Sequence, residues 1–166
     1  DTLYLALLFA GRTPVMVNWT GGRRALAHAL ELEGLERVLT ARALILRLRG
    51  RGFDLSPLAG RMVELEDAAG RIGWRSRAAA FLRSHLSWRL LDRTRPPARA
   101  VILFTSGSES RPKAVPLTQA NILANIRDAA DRIPIARGDS LLGMLPPFHS
   151  FGLTVGVILP LCAGFP

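Results

Sequence analysis

The stretch of this chain richest in reactive groups is Thr105-Ser-Gly-Ser-Glu-Ser-Arg-Pro-Lys113. The hydroxyls of Thr105, Ser106, Ser108 and Ser110 can donate hydrogen bonds, Gly107 lets backbone approach a ligand closely, and Lys113 adds a mobile point charge. Together they describe a cradle for an anion such as a phosphate. It is not a Walker A loop. Counting from Gly107, Pro112 stands where the second glycine belongs and Ala114 follows the lysine where Ser or Thr is needed. Nor is it the elbow of a serine hydrolase, since the chain contains no G-x-S-x-G. A serine-rich surface turn has the same composition, so composition alone leaves both readings open. Lys113 tilts the choice: of the 22 Lys and Arg residues it is the one lysine. A compact ammonium serves a phosphate better as a mobile ligand than a rigid guanidinium fork does.

The elements around the loop follow from hydropathy and breakers. Ala100 to Thr105 (AVILFT) is a continuous apolar run, which predicts a strand buried on both faces. Ala114 to Leu117 predicts a short strand, and Thr118 an N-cap for a helix from Gln119 to about Ile133. Leu141 to Leu145 reads as a further strand and Phe151 to Cys162 as a buried helix. Upstream, Leu3 to Ala10 reads as a helix ending at Gly11, Pro14 to Asn18 as a strand, and Arg24 to Glu33 as a helix ending at Gly34. Arg37 to Thr40 and Arg61 to Glu66 read as strands, with a small helix over Ala41 to Leu48 and a loop from Arg49 to Gly60. Arg75 to Leu91 is the longest helical pattern before Pro96-Pro97. Strands alternating with helices predict an α/β fold with layered helices on a largely parallel sheet.

Charge and composition narrow the function. The 166 residues are 49% hydrophobic and carry a formal net charge of +9, the profile of a packed chain rather than a disordered one. Residues 37–99 hold 14 arginines against Asp54, Glu64, Glu66, Asp67 and Asp92, a surplus equal to the whole net charge. A localised surplus points to a local partner surface. In Arg75 to Arg93, Phe81, His85 and Trp88 share one helical face, flanked by Leu82, Leu86 and Leu90 or Leu91, with arginines over much of the remainder. One reading is an ordinary amphipathic helix packed on the sheet. The other is a surface for anionic lipid or an acidic carrier protein. Nucleic acid is not expected, for lack of interleaved exposed aromatics or a known binding module. The longest apolar run, Phe151 to Ala163, is too short to span a membrane. One cysteine, Cys162, excludes a disulfide framework and fits a reducing compartment. No His, Asp or Glu spacing predicts a metal site, and His28 and His85 read as structural. The chain begins at Asp1 without a secretory leader and reads as an excerpt of something longer.

Three motifs together resemble a family. TSGSESRPKAV after VILF, the segment Asn121-Ile-Leu-Ala-Asn125 and the segment Leu145-Pro-Pro-Phe-His-Ser-Phe-Gly152 resemble the phosphate loop, the following helix and the next motif of the adenylate-forming enzymes, the acyl- and aryl-CoA synthetase superfamily. The nearest likeness is to the acyl-acyl-carrier-protein synthetase / 2-acylglycerophosphoethanolamine acyltransferase group, which PVMVNWTGG near Pro14 also resembles. The likeness is strong over residues 100–163 and loose over 23–99. It departs at Ser110 and Ala114, where the family usually has glycine.

The resemblance implies the first part of a large N-terminal AMP-binding domain: a basic leading segment over 1–99, then phosphate loop, helix and acyl-pocket motif over 100–166. It implies an ATP- and Mg2+-dependent ligase that activates a fatty acid as acyl-AMP. The acyl group then passes to acyl carrier protein, CoA or a lysophospholipid, in the cytoplasm with peripheral contact at the inner, anionic membrane face. On that reading Thr105, Ser106, Gly107, Ser108, Glu109, Ser110 and Lys113 hold the phosphates, although Glu109 has no firm role there. Phe148 and His149 line the acyl pocket. A histidine at 149 capping a helix from Ser150 is the structural alternative. No catalytic residue falls within the chain, because the adenine loop, ribose aspartate, hinge and catalytic lysine of the family are absent. A non-catalytic relative that binds lipid or carrier protein, its loop no longer holding ATP, is the alternative function.

Overall fold

A computed structural model describes residues 2–86, 89–105, 111–134, 136 and 138–164. They divide into two compact units, one made of described residues within 2–18, 95–105 and 113–164, the other of those within 19–94 and 111–112.

The first unit is organised by β3 (Arg99–Thr105), in which Ala100 to Phe104 are all buried. Burying each large apolar side chain there is worth about 1.5–3 kcal/mol, which is why an unbroken apolar run becomes the centre of a unit. It pairs antiparallel with β4 (Lys113–Thr118). On its other edge Val15 makes a single parallel bridge to Ile102, with the Met16 N–H donating to the Ile102 carbonyl at 2.9 Å. The strand expected over Pro14 to Asn18 is thus reduced to one bridge. Around β3, α1 (Thr2–Phe9), α7 (Gln119–Arg132) and a C-terminal helical stretch share one core that includes Tyr4, Leu8, Val101, Leu103, Ile122, Ile126, Leu153, Val157 and Leu159. Helix α7 starts as expected at Thr118. The Thr118 hydroxyl accepts from the Asn121 N–H at 3.1 Å, and the Asn121 carboxamide oxygen accepts from the Thr118 N–H at 3.0 Å. That reciprocal pair satisfies two of the donors a helix start leaves open.

The buried helix expected over Phe151 to Cys162 is present, interrupted by one wide turn. It runs as α8 (Ser150–Leu153), a π segment (Thr154–Ile158) and α9 (Leu159–Ala163). Pro160 explains the interruption, having no N–H for the Gly156 carbonyl and a ring that would press on it. The strand expected over Leu141 to Leu145 is not formed. These residues are irregular, and Leu142 and Met144 are 80% and 79% exposed. An apolar run becomes a strand only where a neighbour completes its ladder, and none of the described residues does so here.

In the second unit β1 (Val38–Thr40) and β2 (Met62–Glu64) pair in parallel. The fold class is therefore α/β as expected, with its parallel strands in this small sheet. Helices α2 (Gly22–Leu32) and α3 (Arg42–Gly50) match expectation, and Gly34 after α2 adopts φ 58°. The loop expected from Arg49 to Gly60 contains a short 3-10 turn at Ser56–Leu58. The third strand stops at Glu64 because the chain turns there into α4 (Leu65–Gly70). Acidic residues favour a helix's first turn, and these are drawn to Arg42. Its N–H donates to the Glu66 carboxylate at 3.0 Å, while its guanidinium pairs with Glu64 and Asp67 at 2.5 and 2.8 Å. Glu66 thereby caps α3, whose own N-cap Ala41 has no side chain able to do so.

The long basic helix differs most from expectation. Helix α5 spans Trp74–Leu86, and a separate short helix, α6, spans Arg89–Asp92. Trp88, expected on the apolar face, lies outside the described residues. No residue of α5 is buried, and Phe81, Leu82 and Leu86 are 67%, 58% and 72% exposed. The helix is therefore not packed on a sheet. Its Phe81 ring meets His85 edge-on at 4.4 Å, and the Arg75 guanidinium sits 5.6 Å over Trp74. Among the described residues no helix is long and apolar enough to cross a membrane.

Candidate functional site

The loop flanks are built by the antiparallel register. Phe104 pairs with Ala114 and, one step on, Thr105 with Lys113. Thr105 and Lys113 thus stand one strand spacing apart, about 4.5–5.5 Å between Cβ atoms. Lys113 was expected on a loop; it is instead the first residue of β4, and both it and Thr105 are exposed. A strand end fixes the backbone of the lysine while its four-carbon stem stays free, the combination a mobile phosphate ligand needs. Among the described residues no carboxylate pairs with Lys113. Ser106, Gly107, Ser108, Glu109 and Ser110 lie outside the described residues.

The second group sits on the turn before α8. Phe148 is only 2% exposed, whereas His149 is exposed, the two rings lying 4.7 Å apart at 52°. His149 occupies the N-cap position of α8, yet its side chain makes no capping bond. The capping role is thus not taken up, and the imidazole is left to solvent or a ligand. The turn itself is closed by the His149 N–H donating to the Pro146 carbonyl at 3.0 Å, and by the Leu153 N–H donating to the His149 carbonyl at 2.9 Å.

The fold therefore joins Thr105 to Lys113 and Phe148 to His149. Both pairs stand on the core around β3: Thr105 ends that strand, and α8 enters the same core through Leu153. Sequence reasoning passed over Gly152, whose buried Cα faces the backbone of Leu145 and Pro146. The signal was the glycine closing Leu145-Pro-Pro-Phe-His-Ser-Phe-Gly152.

The donor set suits a polyphosphate better than a resident metal. A threonine hydroxyl and an ammonium are phosphate ligands, and among the described residues no three His, Cys, Asp or Glu side chains gather. Mg2+ would arrive on the phosphates, its usual mode with nucleotides.

Comparison with known proteins gives a consistent answer. Residues 2–166 match the family model of the AMP-binding enzymes. An oxalate–CoA ligase of Arabidopsis thaliana is 41% identical over 69 residues, 42% of this chain and 13% of that protein. A chloroplastic long-chain-fatty-acid–[acyl-carrier-protein] ligase of the same plant is 40% identical over 52 residues, 31% of this chain and 7% of that protein. The o-succinylbenzoate CoA synthetase of Bacillus subtilis, solved with its acyl-adenylate, superposes with a TM-score of 0.66 at 18% identity. It does so over 98% of this chain and 38% of that one. A fatty acyl-adenylate ligase from L. pneumophila, solved with acyl adenylate and pyrophosphate, gives 0.61 at 19% identity, with 98% and 26% covered.

Proposed function

This chain belongs to the AMP-binding enzyme family, and from that membership we propose that it forms the leading part of the large domain of an ATP-dependent acyl-activating ligase. The observation that carries the reading is the register pairing Thr105 with Lys113 on either side of the serine-rich sequence 106–110. In the proposed reaction a fatty acid carboxylate oxygen attacks the α-phosphorus of ATP. An acyl–O–P bond forms, the bond to the β-phosphate oxygen breaks, and pyrophosphate leaves. Thr105, the loop over 106–110 and Lys113 hold the β- and γ-phosphates and offset the charge that builds on the departing pyrophosphate. Bound Mg2+ supplies further charge neutralisation. Phe148 and His149 border the acid, the buried ring fixing the turn and the exposed imidazole facing the substrate.

An acidic carrier protein is the acceptor that the arginine surplus supports. On α5, Arg75, Arg77 and Arg83 are exposed beside bare apolar side chains, and α5 holds no acidic residue. One relative is named for ligation to acyl carrier protein. CoA and lysophospholipid remain competing acceptors, to be tested side by side.

The test is ATP–pyrophosphate exchange by the full-length protein across a series of fatty acids. Exchange that depends on the acid supports the reading. A full-length protein that binds fatty acid or carrier protein but shows no exchange with any acid would leave the non-catalytic alternative in its place.

A further inference from the structure

We propose that Gly152 is a positioning residue for the acyl side of the site, holding the turn that carries Phe148 and His149 by the absence of its side chain. The inference rests on the reading that this turn borders the acid. Gly152 does not have positive φ, unlike seven other glycines among the described residues. Backbone freedom is therefore not what the position demands. Space is. A Cβ at 152 would lie 2.8 Å from the Leu145 carbonyl oxygen and 2.9 Å from the Pro146 carbonyl carbon, and nearer still to the Pro146 oxygen. Folded proteins do not show such approaches, and the obstructing atoms are backbone, which cannot rotate aside as a side chain would. Even alanine must push the 145–146 segment off the first turn of α8.

That segment is the near end of the turn. The Pro146 carbonyl, the atom a Cβ would strike most closely, also accepts the His149 N–H at 3.0 Å. Displacing it loosens the bond that sets where His149 leaves the backbone. The far end has its own tie. Thr154, buried, donates its hydroxyl to the Ser150 carbonyl at 2.7 Å where the helix widens into the π segment. Gly152 through the Pro146 carbonyl and Thr154 through the Ser150 carbonyl thus hold the two ends of Phe148-His149-Ser150. The same helix contains its own control. At Gly156 a Cβ would meet nothing within 4 Å.

The experiment compares Gly152→Ala, Gly156→Ala, Thr154→Val and His149→Ala in the full-length protein by ATP–pyrophosphate exchange, with the KM for acid and for ATP measured separately. The imidazole resonances of His149 are followed by NMR. Gly152→Ala should raise the acid KM roughly 10- to 100-fold, the scale of a displacement near 1 Å, with the ATP KM unchanged. It should also shift the His149 resonances in a protein that remains folded. Thr154→Val should move both readouts the same way by less, and Gly156→Ala neither. A folded Gly152→Ala with wild-type acid KM and unmoved His149 resonances overturns the proposal. If Gly152→Ala does not fold, Thr154→Val decides: a raised acid KM supports the proposal and an unchanged one overturns it. If His149→Ala leaves the acid KM untouched, the pocket reading fails by itself. The positioning of the turn is then judged on the His149 resonances alone.

Discussion

Replacing Lys113 by alanine separates the stability of the β3–β4 hairpin from its proposed task. Lys113 is exposed, and its ladder partner Thr105 is met through backbone groups that alanine retains. None of the described carboxylates pairs with it. Truncation should therefore change folding stability by less than about 0.5 kcal/mol, the usual range for a surface position without special contacts. The reaction should respond on another scale. An ammonium on a phosphate oxygen is a charge-assisted bond worth about 1.5–3 kcal/mol, so its loss should slow adenylation roughly 10- to 150-fold. Lys113→Arg should fall between, because a planar fork at a strand end cannot follow the phosphate as a point charge does. Acid-dependent ATP–pyrophosphate exchange by the full-length protein gives the rate, and thermal melting gives the stability. Wild-type exchange in both variants would refute the phosphate assignment. A lost rate accompanied by an equal loss of stability would show that Lys113 holds the hairpin rather than the nucleotide.

Three other perturbations test the frame and the surface. Tyr4, the one tyrosine, is buried, and among the described residues its hydroxyl has no hydrogen-bond partner, so Tyr4→Phe should stabilise the protein by about 1 kcal/mol in a denaturant titration. Burial also raises the pKa of Tyr4 above 10.0. Wild type should thus lose stability as pH rises beyond that value, where the unfolded chain ionises first, and Tyr4→Phe should not. Thr118→Ala removes one half of the reciprocal cap on α7 and should cost about 1 kcal/mol by the same titration. Arg75→Glu with Arg83→Glu should weaken acidic carrier protein binding and leave adenylation unchanged, with the difference fading as salt rises. Arg77 is spared because it donates to the Ile72 and Ala69 carbonyls. Binding indifferent to both changes and to salt would return α5 to a solvated face.

What could be read from the sequence depended on where the deciding interaction lay. Ala100 to Phe104 announced β3 because burial on both faces leaves an unbroken apolar run. Thr118 announced α7 because its cap partner, Asn121, is three residues away. Both are local facts. Helix α4 was missed because Arg42, more than twenty residues upstream, draws Glu64, Glu66 and Asp67 together. Leu141 to Leu145 was misread for the converse reason, an apolar pattern whose ladder no described residue completes. The spacing of Phe81, Leu82 and Leu86 correctly forecast a helix, but nothing in periodicity says whether an apolar face is covered.

The candidate site divides along the same line. Residue type made Thr105 and Lys113 candidates for a phosphate site, and the register then supplied what type could not, their convergence across β3 and β4. For Phe148 and His149 the order is reversed. Neither residue type names a substrate, and the structural alternative for His149 fell only when the N-cap position was found without a side-chain bond. What fixes that turn is a volume missing at Gly152 against the carbonyls of Leu145 and Pro146. A glycine letter records that a side chain is absent. Only the packed backbone shows that φ is ordinary there and that space is the constraint. The proposed phosphate half of the site thus rests on what its side chains carry, and the proposed acyl half on where one side chain is forbidden.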